Sequence, residues 1–282
     1  MDVGLPSDSA GTRSWEGPSL SEVELRFPRS QVSQMIPEPT STTARPALAG
    51  VKALTFDVFG TVVDYRGSIV TVGRQLSAAH GVEVDWGEFA DAWHAEYRPS
   101  MDRAMRHASS WVKVDAIYRT VLDELLERYG VTGLSEQEKV EFNLVWHRLQ
   151  PWGDSVPGLE RLRARYILAT LSNGNIRLLV DMARHAKLPW DLVLSSEIAR
   201  AYKPDPRAYR MALELLDLPA EEVMMVAAHQ YDLRAAQHLG FRTAFVMRPL
   251  EHGPHAVPDL TADDSFDVVA TDIVDLARQL GL

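Results

Sequence analysis

The first 48 residues hold no sustained hydrophobic period; Ser, Thr, Pro and Gly alternate with scattered charges. Such a segment buries too little apolar surface to offset the entropy of ordering, and it reads as a disordered tail. The pattern changes at residue 51. Val51-Lys52-Ala53-Leu54-Thr55-Phe56 is an apolar run of strand-forming residues that stops at Asp57; Gly60-Thr61 then precede a second β-branched run, Val62-Val63. From 67 to 155 the apolar positions recur at helical spacing instead. Phe89, Trp93 and Tyr97 follow a capping box of Asp85 and Glu88, and Arg98-Pro99 ends or bends that helix. Val114, Ile117, Tyr118, Val121, Leu122 and Leu125 share one face of a helix within 111–129, and Ser135 with Glu138 opens another before Phe142, Val145, Trp146 and Leu149. Pro151, Gly153, Pro157 and Gly158 punctuate its end.

Beyond 158 the two periods alternate. The pattern predicts helices over 159–166, 176–186, 206–216, 233–239 and 273–280, and strands over 167–171, 192–194, 223–227 and 243–246. Alternation of this kind implies βαβ units with right-handed crossovers and a parallel sheet covered by helices, an α/β fold. The expected organisation is a core domain of 49–66 and 156–282, with an all-helical cap domain, 67–155, inserted over the strand ends as the source of selectivity.

Composition narrows the function classes. The chain has 282 residues, 46% hydrophobic and 24% charged, with a net charge of −10 and no cysteine. Disulfides, thiolate catalysis and cysteine-held metals are excluded, the acidic balance argues against a nucleic-acid partner, and no apolar run is long enough to span a bilayer. No positively charged start leads into an apolar core, so no secretory signal is visible. The expected location is the cytoplasm.

Four stretches carry candidate chemistry. Asp57 ends the first strand, where parallel sheets bind ligands, with the backbone N–H groups of Val58 and Phe59 in front of its carboxylate and Thr61 able to donate a hydrogen bond to it. An Asp capping a turn gives the same local pattern. Leu-Ser-Asn-Gly-Asn (171–175) sets Ser172 and Asn173 after another strand; an ordinary strand-to-turn Ser-Asn-Gly reads alike. Tyr-Lys-Pro-Asp-Pro-Arg-Ala-Tyr (202–209) holds Lys203 in a stiff turn, a cation suited to offsetting carboxylate repulsion. Val-Ala-Ala-His-Gln-Tyr-Asp-Leu-Arg-Ala-Ala (226–236) carries His229, Tyr231 and Asp232, the last equally readable as the N-cap of a helix beginning near Leu233.

In their order and spacing these four stretches resemble the motifs of the haloacid dehalogenase-like superfamily over residues 50–280, and most of all its (S)-2-haloacid dehalogenases. The resemblance implies the parallel-sheet core with an inserted cap, Asp57 as nucleophile, Ser172 on the substrate carboxylate, Tyr209 supporting Lys203, and Asp232 positioning the hydrolytic water. Val58, Phe59, Asn173, Tyr209, His229 and Tyr231 complete the site. By the same comparison His94 stands where the family cradles the halide with Arg, and Trp111 at an aromatic wall. His94 for Arg is a departure that implies a changed halide preference, a weaker activity, or Arg98 or Arg103 taking over; His229 for the usual Asn and Ala227 for a frequent Ser are others. Phosphatases of the superfamily carry an acid two residues after the nucleophile and a magnesium-binding acid four residues before the Asp of the last motif. Here those positions are Phe59 and Ala228. A halide leaving group needs no proton and a carbon electrophile no metal, so hydrolytic dehalogenation of a short 2-haloalkanoate without metal or other cofactor is the expected reaction, with halide and a 2-hydroxy acid as products. A phosphatase and a catalytically silent binding protein are the rivals. Members of the family dimerise, which leaves a homodimer open.

Overall fold

Strand β1 (Ala53–Phe56) is buried along its whole length, as a strand covered on both faces must be. Around it a six-stranded sheet forms with β4 (Ile167–Ser172), β5 (Leu192–Ser195), β6 (Val223–Ala227), β7 (Arg242–Val246) and β8 (Val268–Ala270), all parallel and ordered β5-β4-β1-β6-β7-β8. The computed structural model describes residues 48–107, 111–256, 260 and 265–282; the expected tail lies outside the described residues except for Leu48. The described residues fall in one compact unit, Ala44–Leu282.

Register places the chemistry. Phe56 pairs with Thr170 on one side and Val226 on the other, and the Asp57 N–H donates to the Val226 carbonyl at 2.9 Å. Asp57, Ser172 and Ala228 therefore emerge side by side at the carboxyl edge of β4, β1 and β6, the edge that binds ligands in open parallel sheets.

Between β1 and β4 the described residues form β2 (Val63–Asp64), five helices and β3 (Gln150–Pro151), and β2 and β3 pair antiparallel as the exit and return of the excursion. The helices are α1 (Tyr65–His80), α2 (Trp86–Ala95), α3 (Tyr97–His107), α4 (Val114–Arg128) and α5 (Glu136–Asn143), the last running into a 3-10 turn, Leu144–His147. Asp85 caps α2 through the Gly87 and Glu88 N–H groups, and the capping box of Ser135 and Glu138 opens α5 as expected. Arg98-Pro99 does not end a helix; α2 stops at Ala95 and Pro99 sits in the first turn of α3, where its missing N–H costs nothing. The helices pack on an aromatic core in which Trp146 is fully buried and Tyr118 stacks on it at 3.8 Å.

Helices α6 (Ser155–Arg163), α7 (Ile176–Ala186), α8 (Ser196–Ala199), α9 (Pro206–Leu216), α10 (Gln230–Gln237) and α11 (Ile273–Gln279) complete the fold. Helix α10 begins three residues before the expected start, with His229 as its N-cap, so Asp232 lies in the first turn and is not the cap. Asp154 and Arg248 form a two-pronged ion pair at 2.7 and 2.8 Å, while the Arg248 Nε donates to the Thr61 carbonyl at 2.7 Å. Burial raises the Asp154 carboxyl, but the guanidinium outweighs it and holds the group below its ordinary range. Asp154→Ala leaves Arg248 buried and unpaired and is expected to cost about 3 kcal/mol in urea unfolding at neutral pH. Because the folded-state value is depressed, the stability lost in Asp154→Ala is present in the parent above the unfolded carboxylate value and disappears as pH falls below it; the two proteins should converge in acid.

Candidate active site

At the carboxyl edge of the sheet, Asp57 is only 7% exposed and both its oxygens are occupied. Oδ1 accepts from the Lys203 ammonium at 3.0 Å. Oδ2 accepts from Thr61 Oγ1 at 2.9 Å and lies 2.8 Å from His229 Nδ1. Thr61 is itself fixed by the Ala228 N–H, 2.9 Å from its oxygen, so the loops after β1 and β6 share one hydroxyl. Lys203 also donates to Asp232 Oδ2, and the Tyr209 hydroxyl donates to Asp232 Oδ1. The sequence-predicted group of Asp57, Thr61, Lys203, Tyr209 and Asp232 is thus one connected network.

Its charges follow from burial and pairing. Burial pushes the Asp57 carboxyl up, but the Lys203 charge and the hydrogen bond and charge of His229 outweigh it and leave Asp57 well below its ordinary range. Asp232, buried deeper and repelled by Asp57, is raised despite Lys203. Lys203 is pulled down by burial and up further by its two carboxylates, so it stays an ammonium. His229 is lowered by burial yet lifted well above an ordinary imidazole by Glu251 and Asp57.

The second motif serves the third. Asn173 Oδ1 accepts from the Lys203 N–H and from Ser196 Oγ, both at 2.7 Å, so this side chain clamps the lysine turn rather than facing open space. Ser172 is fully buried, and its oxygen accepts from the Gly174 N–H at 3.2 Å. Val58 and Phe59 are also buried, and the Phe59 ring leaves the Asp57 loop to meet Tyr97, Tyr118 and Trp146 edge-on at 5.7–6.4 Å. The Tyr97 and Tyr118 hydroxyls are buried without a hydrogen-bond partner among the described residues.

Other predicted residues lie further out. His94 stacks on Tyr65 at 4.2 Å, and burial lowers it to about 4, so it is a neutral imidazole near pH 7. Trp111 packs on Tyr202 at 4.3 Å, beside the lysine turn. Arg98 lies over the Tyr231 ring at 4.3 Å, whereas Arg103 is paired with Glu96 and Ser100. Sequence reasoning missed Glu251, 6% exposed and 2.9 Å from His229 Nε2. It comes from the loop after β7, and only the unexplained His229 pointed to a partner. A cavity of about 310 Å³ is lined by Ala228, His229, Tyr231, Glu251 and His252, among others.

Residues 51–240 match the family model described as haloacid dehalogenase-like hydrolase. The chain belongs to that family. Among solved structures, this family member is similar to a defluorinating L-2-haloacid dehalogenase, 47% identical with a TM-score of 0.80, covering 84% of this chain and 98% of that one. A second L-2-haloacid dehalogenase structure is 45% identical with a TM-score of 0.76, covering 82% and 99%. The (S)-2-haloacid dehalogenase 4A of Burkholderia cepacia is 27% identical over 226 residues, 74% of this chain and 93% of that protein.

A magnesium site of the kind used by phosphatases in the family does not fit this member. Lys203 lies between the two carboxylates, Thr61 and His229 take the other oxygen of Asp57, and Phe59 and Ala228 supply no ligand. Among the described residues no group of three or more His, Asp or Glu side chains is arranged to hold a cation. Lys203→Met should lift the Asp57 carboxyl, since burial and Asp232 then act with His229 as the remaining counter-charge. Single-turnover rates of Lys203→Met are therefore expected to fall as pH drops through the weakly acidic range, where the parent stays flat; a flat profile in both would separate Lys203 from Asp57 ionisation.

Proposed function

We propose that this chain hydrolyses short 2-haloalkanoic acids, releasing halide and a 2-hydroxy acid through an ester on Asp57. The observation that carries the reading is the buried Asp57 carboxyl, held by Lys203, Thr61 and His229, with Phe59 and Ala228 where phosphoryl chemistry needs acids. The similarity to L-2-haloacid dehalogenases across most of the chain supports the same reaction.

One Asp57 oxygen attacks the carbon bearing the halogen from the side opposite the leaving halide. Configuration at that carbon inverts, and the halide departs with the bonding pair. Water then adds to the ester carbonyl, restoring Asp57. Lys203 keeps the nucleophile ionised, Tyr209 and Lys203 hold Asp232, and Asp232 takes a proton from the incoming water. Ser172 is the proposed contact for the substrate carboxylate, and Arg98 beside Tyr231 adds positive charge for the same anion. The helical segment 67–155 acts as a cap whose aromatic walls exclude water. The buried hydroxyls of Tyr97 and Tyr118, in ring contact with Phe59, support a halide site on the cap side of that ring. They take the place of the family's arginine cradle, at whose position His94 stands as a neutral imidazole. The reaction draws on no metal or organic cofactor.

Turnover of (S)-2-chloropropionate is expected to survive EDTA and to be abolished in Asp57→Asn, because an amide is a far weaker nucleophile than a carboxylate. In a single turnover in H₂¹⁸O with enzyme in excess, label should appear first in the Asp57 peptide; label only in the 2-hydroxy acid would mean direct attack by water. Tyr97→Phe should slow halide release about tenfold or more while leaving thermal stability equal or higher, since it removes a donor to the leaving group and a buried hydroxyl without a partner. An unchanged rate would move the halide away from Tyr97.

A further inference from the structure

His229 and Glu251 form a pair that nucleophilic displacement does not require. Displacement needs an ionised carboxylate, which the Lys203 charge already favours, and a further strong donor lowers the nucleophilicity of the oxygen it binds. Yet His229 Nδ1 is 2.8 Å from Asp57 Oδ2 and Nε2 is 2.9 Å from Glu251 Oε1. Each ring nitrogen faces a carboxylate oxygen, an arrangement that only the doubly protonated imidazolium satisfies with two donors. Glu251 is built in tightly: Gly60 has φ +76, and a Cβ there would lie 2.1 Å from Glu251 Oε1. The absence of a side chain at 60 leaves room for this carboxylate beneath the nucleophile loop.

We propose that His229, kept as an imidazolium by Glu251, donates the hydrogen bond that stabilises the oxyanion during hydrolysis of the Asp57 ester, and so acts in the second half of the reaction. The inference rests on the dehalogenase reading above. Oδ1 bears one donor, Lys203, whereas Oδ2 bears two, Thr61 and His229. The less encumbered Oδ1 is the attacking atom, so Oδ2 becomes the ester carbonyl oxygen, already set between two donors.

The water oxygen bonds to Cγ of Asp57, one water proton passes to Asp232, and the carbonyl π pair moves onto Oδ2 against Nδ1–H and the Thr61 hydroxyl. The pair returns, the Cγ–Oδ1 bond breaks, and Oδ1 leaves as the alkoxide of the 2-hydroxy acid. Lys203 protonates it and recovers a proton from Asp232. The second water proton is lost to solvent as Asp57 ionises again.

Alkylation cancels the charge of Asp57 but not that of Glu251. The groups facing His229 are Asp57 after β1, Glu251 after β7, His94 on α2 and Tyr231 on α10, with His252 acting on Glu251 and His94, and Lys203 and Asp232 beyond Asp57. Once the ester forms, Glu251 is the remaining carboxylate on the ring. His229 is raised in the free enzyme first against burial by Glu251, and then by Asp57, which matches this division.

The test separates the two halves by rapid quench with (S)-2-chloropropionate and enzyme in excess. Halide release reports ester formation, and the mass of the Asp57 peptide reports ester decay. Glu251→Gln should slow decay about tenfold or more beyond any change in halide release, so that ester accumulates. Parent decay should be flat from about pH 6 to 9, while in Glu251→Gln it falls with rising pH as the imidazolium loses its proton. Glu251→Asp should recover part of both, and His229→Asn should slow decay without the pH-dependent fall. Equal slowing of both steps, or a parent-like pH profile in Glu251→Gln, overturns the proposal and leaves Glu251 a packing role alone. No halide release by the parent from any 2-haloacid overturns the dehalogenase reading and this inference with it.

Discussion

A single buried ammonium holds the site together. Lys203 is 5% exposed and bonded to Asp57 and Asp232, two carboxylates that could not both stay charged in so little water without it. Much of the surrounding structure exists to keep that ammonium in place. Asn173 holds the lysine backbone, Tyr209 fills the remaining side of Asp232, and adjacent sheet strands deliver the three loops in register. The cost of desolvating three charges is offset only if each has its partners, which is why so few side chains at this edge are idle.

The fold was largely readable because its strands are buried on both faces and its helices are amphipathic. Helices 176–186 and 206–216 and strand 223–227 fall where periodicity placed them. The misses have physical causes. Two-residue strands such as β2 and β3 carry no period, and β8 is too short for one to emerge. The early start of helix α10 was missed because its N-cap, His229, makes no side-chain capping bond and turns its ring toward Asp57 instead. At the site, residues joined by motif spacing were legible: Asp57, Thr61, Lys203, Tyr209 and Asp232 meet. Glu251 was not, since a lone acid in a loop looks solvated until a buried histidine is found against it. The clamp that Asn173 places on the lysine turn was not legible either, since its amide, read from sequence, points at the crevice as well as at that turn.

The helical insert is tied to the sheet by polar groups as well as by apolar packing. The Asp115 carboxylate on α4 accepts from Asn175 Nδ2 at 2.8 Å, and His147 bridges Asp115 and Asp181 at 3.2 and 3.0 Å. Burial would lower His147, but the two carboxylates raise it above an ordinary imidazole. Asn175 lies in the same short turn as Ser172 and Asn173, so the segment that clamps Lys203 also anchors the helices above it.

Phe59 has a consequence for how such an enzyme changes over evolutionary time. Its ring is 4% exposed and meets three aromatic residues of the insert, so the residue that separates this site from a phosphoryl-transfer site is also a keystone of the insert's core. An acid at 59 would be driven into a nest of rings with no water to solvate it. Conversion to phosphoryl-transfer chemistry is therefore not one substitution away. Tyr97, Tyr118 and Trp146 would have to be repacked first, each change unfavourable alone, and the apolar interior works as a ratchet that keeps the lineage on its present reaction.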